Sequence, residues 1–358
     1  MFYKIKNWLY SETKALFELK PDERIWHMAL LAALCMAVPL LAGLYAGHLN
    51  YSILACIGGL VILYLPAAAM RKRMLIMVIC SLGFMLSYAV GLNFSFGIIP
   101  KIIALSAFTF VVHWLCLHYN FKSPGSIFFI LLASVAAFTS YQANSILLKV
   151  SFIGLGTLLA CTVALFYSLY TKYNYPAPMV VEEEPATPAD ILFEAAIIAG
   201  CVAVSLLAAH LLHLQRPYWV PVSCVAVMKG INLNHVWQRS FQRVMGTLTG
   251  LALAWLLLKI EATPLMICLT IPLLQGLAEW LVGRNYALAL IFITPMAMLL
   301  AEVGGTQSLS ADTLILTRLI DIVLGSVVGA IGGWFLYNQK LRSQTAQQLE
   351  RIKFGGNW

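Results

Sequence analysis
The chain alternates long apolar stretches with short polar breaks that are too brief to hold domains of their own. The apolar stretches run Trp26 to Gly47, Tyr51 to Met70, Met74 to Leu92, Ile102 to Leu117, Ser126 to Tyr141 and Ile146 to Tyr170. A second series runs Ile191 to Leu212, Tyr218 to Trp237, Val244 to Leu258, Leu265 to Leu281, Tyr286 to Ala301 and Thr313 to Leu336. A hydrocarbon core about 30 Å thick needs about 20 helical residues. Strand-like alternation is missing, which argues against a barrel. The pattern predicts an all-α membrane protein with about twelve transmembrane helices.

The second series repeats the landmarks of the first. Tyr51 and Tyr218, and Gly83 and Gly250, are each separated by 167 positions; Lys149 and Arg318, and Gly156 and Gly325, by 169. Two nearly identical offsets in one order predict a duplicated unit. Six spans return each half to its starting side. The halves are therefore expected to be parallel repeats around a pseudo-two-fold axis along the membrane normal, with a pathway between them.

Composition agrees: 61% of the 358 residues are hydrophobic and 11% charged, too apolar for an ordinary globular core. The net charge of +8 suggests nucleic acid only until the basic residues are placed. With a cytoplasmic amino terminus, 18 of the 23 Lys and Arg fall on the inner side; the outer side keeps Lys101, Lys149, Arg216, Lys259 and Arg318. This positive-inside bias predicts that both termini are cytoplasmic. Nucleic acid is not an expected partner, whereas the lipid bilayer is. All eight cysteines sit in apolar stretches without a CxxC pair and are read as buried hydrophobes.

Outside the spans, residues 1–25 place Ile5, Trp8, Leu9, Leu16 and Leu19 at near-helical spacing among lysines, which predicts an amphipathic helix on the membrane surface rather than a signal peptide. Residues 26–170 form the first repeat, 171–190 a Pro- and Glu-rich cytoplasmic linker, 191–337 the second repeat and 338–358 a cytoplasmic tail. At the linker's end, Thr187 before Pro188 has the form of a helix start.

Polar groups inside apolar spans cost several kcal/mol unless paired or wet, so they are the candidate chemistry. In Tyr218 to Trp237 the first 11 residues are apolar, whereas the rest include Lys229, Asn232, Asn234 and His235. Either these line a water-filled cavity, or the helix stops near Met228 and they form a loop. Arg239 and Arg243 share a helix face, expected at the amino-terminal end of the ninth helix where the dipole also favours an anion. Arg71 and Arg73 occupy the matching turn of the first half. Arg318 with Asp321, and Lys149 as partner of Arg318, mark the last span of each half. Glu279 and Asp321 are the acidic candidates for proton coupling, with Arg284 near enough to neutralise Glu279. His210 and His213, with His48, do not make a convincing metal set. No GxSxG, Walker, HExxH or EF-hand pattern occurs, and neither an enzyme nor a cofactor is expected.

The string Arg216-Pro217-Tyr218-Trp219-Val220-Pro221, then Arg239, Gln242-Arg243-Val244-Met245-Gly246-Thr247 and Gly250, resembles the FUSC family of fusaric acid resistance and aromatic acid exporter proteins. Asn285-Tyr286, Thr294-Pro295 and Arg318 with Asp321 and Gly325 continue the match over about Arg216 to Leu336. Arg24, Arg71 to Arg73 and Gly83 carry a weaker one in the first half. The resemblance implies a bacterial inner-membrane exporter of organic carboxylates, akin to plant aluminium-activated malate transporters whose six-helix subunits pair around an anion pore. The candidate substrate contacts, read from the place of these residues in the spans and in the repeat, are Arg239, Arg243, Tyr218, Trp219, Lys229, His235, Arg71, Arg73, Lys149 and Arg318. The large cytosolic domain found between the halves of many members is replaced here by the short linker. A passive anion channel, or a lipid-binding or assembly protein without transport, are the alternatives, and a homo-oligomer is compatible with each.

Overall fold
The computed structural model describes residues 16, 18–19, 26–121, 124–139, 145–174, 187–230, 232–260, 263–303 and 311–338. Most of the amphipathic amino-terminal segment, the acidic run of the linker and nearly all of the tail lie outside them. The described chain is helical: α1 (His27–Tyr45), α2 (Leu49–Gly59) continued by a 3-10 turn (Leu60–Tyr64), α3 (Met70–Asn93), α4 (Ile98–His118), α5 (Ile127–Ala137) and α6 (Ile146–Asn174). The second half holds α7 (Pro188–Leu211), α8 (Trp219–Met228), α9 (Leu233–Lys259), α10 (Pro264–Val282), α11 (Tyr286–Val303) and α12 (Ala311–Leu336). Eight helices, α1, α3, α4, α6, α7, α9, α10 and α12, are long and apolar enough to cross a membrane. The other four are shorter apolar helices.

The helices begin where the sequence supplies caps. Thr187 Oγ1 accepts the Asp190 N–H at 3.2 Å, with Pro188 in the first turn where its missing N–H costs nothing. Thr263 and Pro264 repeat that device at α10. On α1, Leu30, Leu34, Val38 and Leu41 are exposed while Ala32, Cys35, Met36 and Leu40 are buried. A helix apolar on both faces is stable where its outer face meets lipid.

Two sequence expectations change. The stretch Tyr218 to Trp237 is not one helix: α8 stops at Met228, and α9 starts at Leu233 with Asn232 Oδ1 accepting the His235 N–H at 2.8 Å. The polar run is thus a turn and a cap, because Asn there satisfies a donor that a continued helix would not have freed. Its first-half counterpart, Tyr51 to Met70, also breaks, at the extended Leu65. Consequently Arg239 and Arg243 are not at a helix terminus. Arg243 is the eleventh residue of α9, and the dipole's effect fades within the first turn.

The chain divides into two compact units. The first comprises Met1–Leu86, Gln142–Val180 and Phe241–Leu319; the second comprises Ser87–Tyr141, Val181–Ser240 and Ile320–Trp358. Inside the first, α1 packs along α10, α2 along α6, and α2 touches α11. Inside the second, α4 packs along α7, α5 along α8, and α7 along α8. Glycines set the closest crossings. A Cβ at Gly156 of α6 would overlap the Ala55 carbonyl oxygen of α2, and one at Gly325 of α12 would overlap the Val220 carbonyl oxygen of α8. Small residues let backbones approach where apolar burial gives no drive between helices in lipid.

Candidate functional site
In the first unit, α9 and α11 meet along a seam of small residues. A Cβ at Gly246 would overlap the Ala287 carbonyl oxygen; one at Gly250 would come within 2.8 Å of the Leu290 carbonyl oxygen. At one end of this seam Arg243 is buried at 7% exposure, and its guanidinium donates to the Tyr286 hydroxyl at 2.8 Å. Asn285, just before Tyr286, is buried too: its amide donates to the Leu16 and Glu18 carbonyls at 2.8 and 3.1 Å, while its Oδ1 accepts the Leu288 N–H at 3.1 Å. Thr247 lies one turn after Arg243, fully buried, and its hydroxyl has no hydrogen-bond partner among the described residues. A buried hydroxyl without a partner forfeits about 1–3 kcal/mol. The result is a small polar patch of guanidinium, phenol and threonine hydroxyl inside an apolar helix pair.

In the second unit, basic side chains gather at the end of α8. Lys229 Nζ donates to the Pro124 carbonyl, and Arg239 Nε donates to the Ala226 carbonyl at 3.3 Å. The Tyr337 hydroxyl donates to the Gly230 carbonyl. The last carbonyls of a helix lack intrahelical partners, so Arg239 serves one that the break at Met228 leaves open, and Tyr337 serves the turn just beyond it. At the other end of α8, Tyr218 and Trp219 lie with ring centroids 5.2 Å apart, and Phe138 is 6.4 Å from Tyr218. Lys101 Nζ sits 4.7 Å from the Phe138 ring centre.

The remaining predicted residues occupy varied places. Arg73 donates to the Thr171 hydroxyl at 2.7 Å, whereas Arg71 is exposed. Lys149, His235 and Glu279 are half-buried. Arg284 lies 4.6 Å over the Trp280 ring centre. Arg318 at 6% and Asp321 at 0% exposure are buried one turn apart on α12. The rings of His210 and His213 are 6.3 Å apart, and no group of three metal-capable side chains occurs among the described residues.

Sequence reasoning missed another polar meeting point, in the second unit. His113 of α4 is buried at 8% exposure. Its Nδ1 is 2.7 Å from Ser126 Oγ, just ahead of α5, and its Nε2 is 3.4 Å from Glu194 Oε1 on α7. These residues are far apart along the chain, and each by itself is an isolated polar group in an apolar stretch.

The residues of the FUSC resemblance run from Arg216 to Leu336, and a comparison with known families covers nearly the same stretch. Residues 202–332 match the family described as fusaric acid resistance protein-like. The matched segment contains α8 to α11 whole, with the last part of α7 and most of α12. Among curated proteins, the chain is 31% identical over 176 residues to the uncharacterized membrane protein YvaC of Bacillus subtilis. That alignment covers 49% of this chain and 26% of YvaC. It is 24% identical over 157 residues to the uncharacterized protein slr1298 of Synechocystis, covering 44% of this chain and 19% of the relative. The chain thus spans about a quarter or less of the length of either relative. No solved structure matches. The FUSC match, the membrane relative and the eight long apolar helices make the chain a multi-pass integral membrane protein.

Proposed function
We propose that the protein is a transporter, not an enzyme, that carries organic carboxylates across a bacterial inner membrane, with export as its working direction and both termini in the cytoplasm. The observation that carries this reading is the patch on α9 and α11. Arg243 is buried and held by Tyr286, and Thr247 presents a hydroxyl that nothing described satisfies. A carboxylate can accept from a guanidinium and a hydroxyl together. Tyr218 and Trp219 offer flat, partly polar faces to an aromatic ring. Two parallel repeats of six helices are part of the proposal. Its support is that each unit pairs the first helix of one half with the fourth of the other (α1 with α10, α7 with α4) and sets a glycine crossing between second and sixth helices.

The test is flux of para-sulfobenzoate and malate into liposomes holding the full chain. The wild type is expected to carry at least one of them above protein-free liposomes. Arg243→Ala should slow that flux by about 10-fold or more, since a hydrogen bond to a charged group is worth about 1.5–3 kcal/mol. Thr247→Val should slow it less. Flux by Arg243→Ala at the wild-type rate removes the patch from the pathway, and no flux of either probe by the wild type removes the transport reading.

A further inference from the structure
The His113, Ser126 and Glu194 cluster is built in a way that suits a mobile proton. Its three side chains come from α4, the turn before α5, and α7, so it ties three elements of the second unit at one point. Serine is the informative member, because a hydroxyl both donates and accepts. With a neutral imidazole, Nε2–H donates to the Glu194 carboxylate and the Ser126 O–H donates to Nδ1. When one proton is added, Nδ1–H donates to Ser126 Oγ and Nε2–H still donates to the carboxylate. Both charge states keep the same two hydrogen bonds, and only the hydroxyl turns. Neither ring nitrogen has to be left unsatisfied in either state, and an unsatisfied nitrogen is the usual obstacle to titrating a buried group.

The two ends of the cluster differ in access. The imidazole side chain is 10% exposed and that of Glu194 37%, so the carboxylate is the more open end of the cluster and the imidazole the more enclosed. Glu194 is the seventh residue of α7, about 10 Å along it at 1.5 Å per residue. The other ionisable groups on the elements around it are few. On α7, Asp190 lies one turn before Glu194, with Cys201 and His210 farther on; α4 carries Lys101, Cys116 and His118; α5 has none; α8 has Cys224. Beyond α8, Lys229 donates to the Pro124 carbonyl two residues before Ser126 and puts a positive charge on that side.

The sequence also carries a counterpart with the residue types exchanged. Glu194 lies 167 positions after His27, the offset of Tyr51 and Tyr218, and Glu279 lies 166 after His113. His27 is on α1 and Glu279 on α10, helices that pack together in the first unit, where Gly276 faces Ala29. A lone histidine against a carboxylate is a common structural tie. A second histidine and carboxylate at the equivalent places of the other helix pair is not expected from a tie that serves one crossing.

We infer that His113, Ser126 and Glu194 form a proton-binding site that couples a proton to the cargo, a deeper reading that rests on the proposed anion transport. On loading, one proton passes from water through the Glu194 carboxylate to His113, and the site goes from a net charge of −1 to neutral. On unloading, the proton returns to water and no other bond changes.

Two measurements on the reconstituted full chain test it. The first is independent of transport: infrared difference spectra recorded from about pH 5 to pH 8, the range in which histidines charge. A histidine band is expected to be lost in His113→Gln, and Glu194→Gln, which keeps a hydrogen-bond acceptor, is expected to move the pH at which that band appears. A spectrum unchanged by His113→Gln, or a band unmoved by Glu194→Gln, overturns the site. The second is accumulation of para-sulfobenzoate or malate driven by a pH gradient. The wild type should accumulate the probe, while Glu194→Gln should lose at least tenfold of the accumulation yet keep downhill flux. Wild-type accumulation by Glu194→Gln overturns the coupling. An intact, Glu194-dependent histidine band in a protein that carries neither probe supports the proton site and overturns the transport reading instead.

Discussion
The packing of α1 on α10 and that of α4 on α7 invite comparison, since each sets the first helix of one half against the fourth of the other. Both place a histidine and a glutamate on the paired helices, yet their histidines live in different surroundings. His113 meets a serine hydroxyl and a carboxylate. His27 is boxed by aromatic rings, with Trp26 at 4.4 Å, Tyr167 at 6.0 Å and Tyr170 at 6.2 Å between centroids. An edge-on aromatic box holds a ring in place by dispersion and quadrupole contacts, whereas a hydroxyl that can reverse its bond leaves the proton free to come and go. One helix pair thus sets its histidine among aromatic rings, and the other sets it between a hydroxyl and a carboxylate.

The largest effect that could break this comparison lies at the glycine crossings. Gly156→Ala and Gly325→Ala each drive a methyl group into a backbone carbonyl, and each should cost about 3 kcal/mol or more. Thermal unfolding in detergent, read as monodisperse protein remaining, checks it. Loss in one variant and wild-type stability in the other would mean that the two crossings are not equivalent. Next in size, Glu279→Gln should reduce pH-driven accumulation only a few-fold where Glu194→Gln reduces it tenfold. Equal losses would make both pairs proton carriers. Asn232→Ala should then destabilise by about 1 kcal/mol through loss of the α9 cap, with flux per folded molecule unchanged. Smallest is Gly276→Ala, whose Cβ would sit at an ordinary 3.5 Å from the Ala29 carbonyl oxygen. It should leave stability within about 1 kcal/mol of wild type, with any gain coming from alanine's better helix propensity.

Much of the helical plan was legible because hydropathy and caps act locally. Thr187 and Pro188 announce the start of α7, and Arg216 to Leu336 overlaps the FUSC match at residues 202–332. The break after Met228 was legible only as an alternative, because a polar run at the end of an apolar stretch fits a wet cavity as well as a turn. Asn232 settles it through a single cap that no periodicity records. Arg239 drew attention as half of an i, i+4 pair, yet its Nε serves the Ala226 carbonyl. The His113 site was out of reach for a different reason: its members come from three elements and acquire meaning only when these meet. The one available signal was the spacing of His27 and Glu194, which shares the offset of the other landmarks.

The shortness of α8 has a consequence for how the protein is made. Its ten residues rise about 15 Å, half of the hydrocarbon thickness, and all from Val220 to Met228 are buried. On leaving the ribosome such a segment has too little apolar length to hold itself across a bilayer, and its terminal carbonyls have no partners. Arg239 follows 11 residues after Met228, but Gly325 and Tyr337 are about a hundred residues behind. Nascent α8 therefore has to wait beside α7 in a sheltered place until α12 is synthesised. A chain stopped before Gly325 should stay accessible to protease at this point and seal only when the last helix arrives.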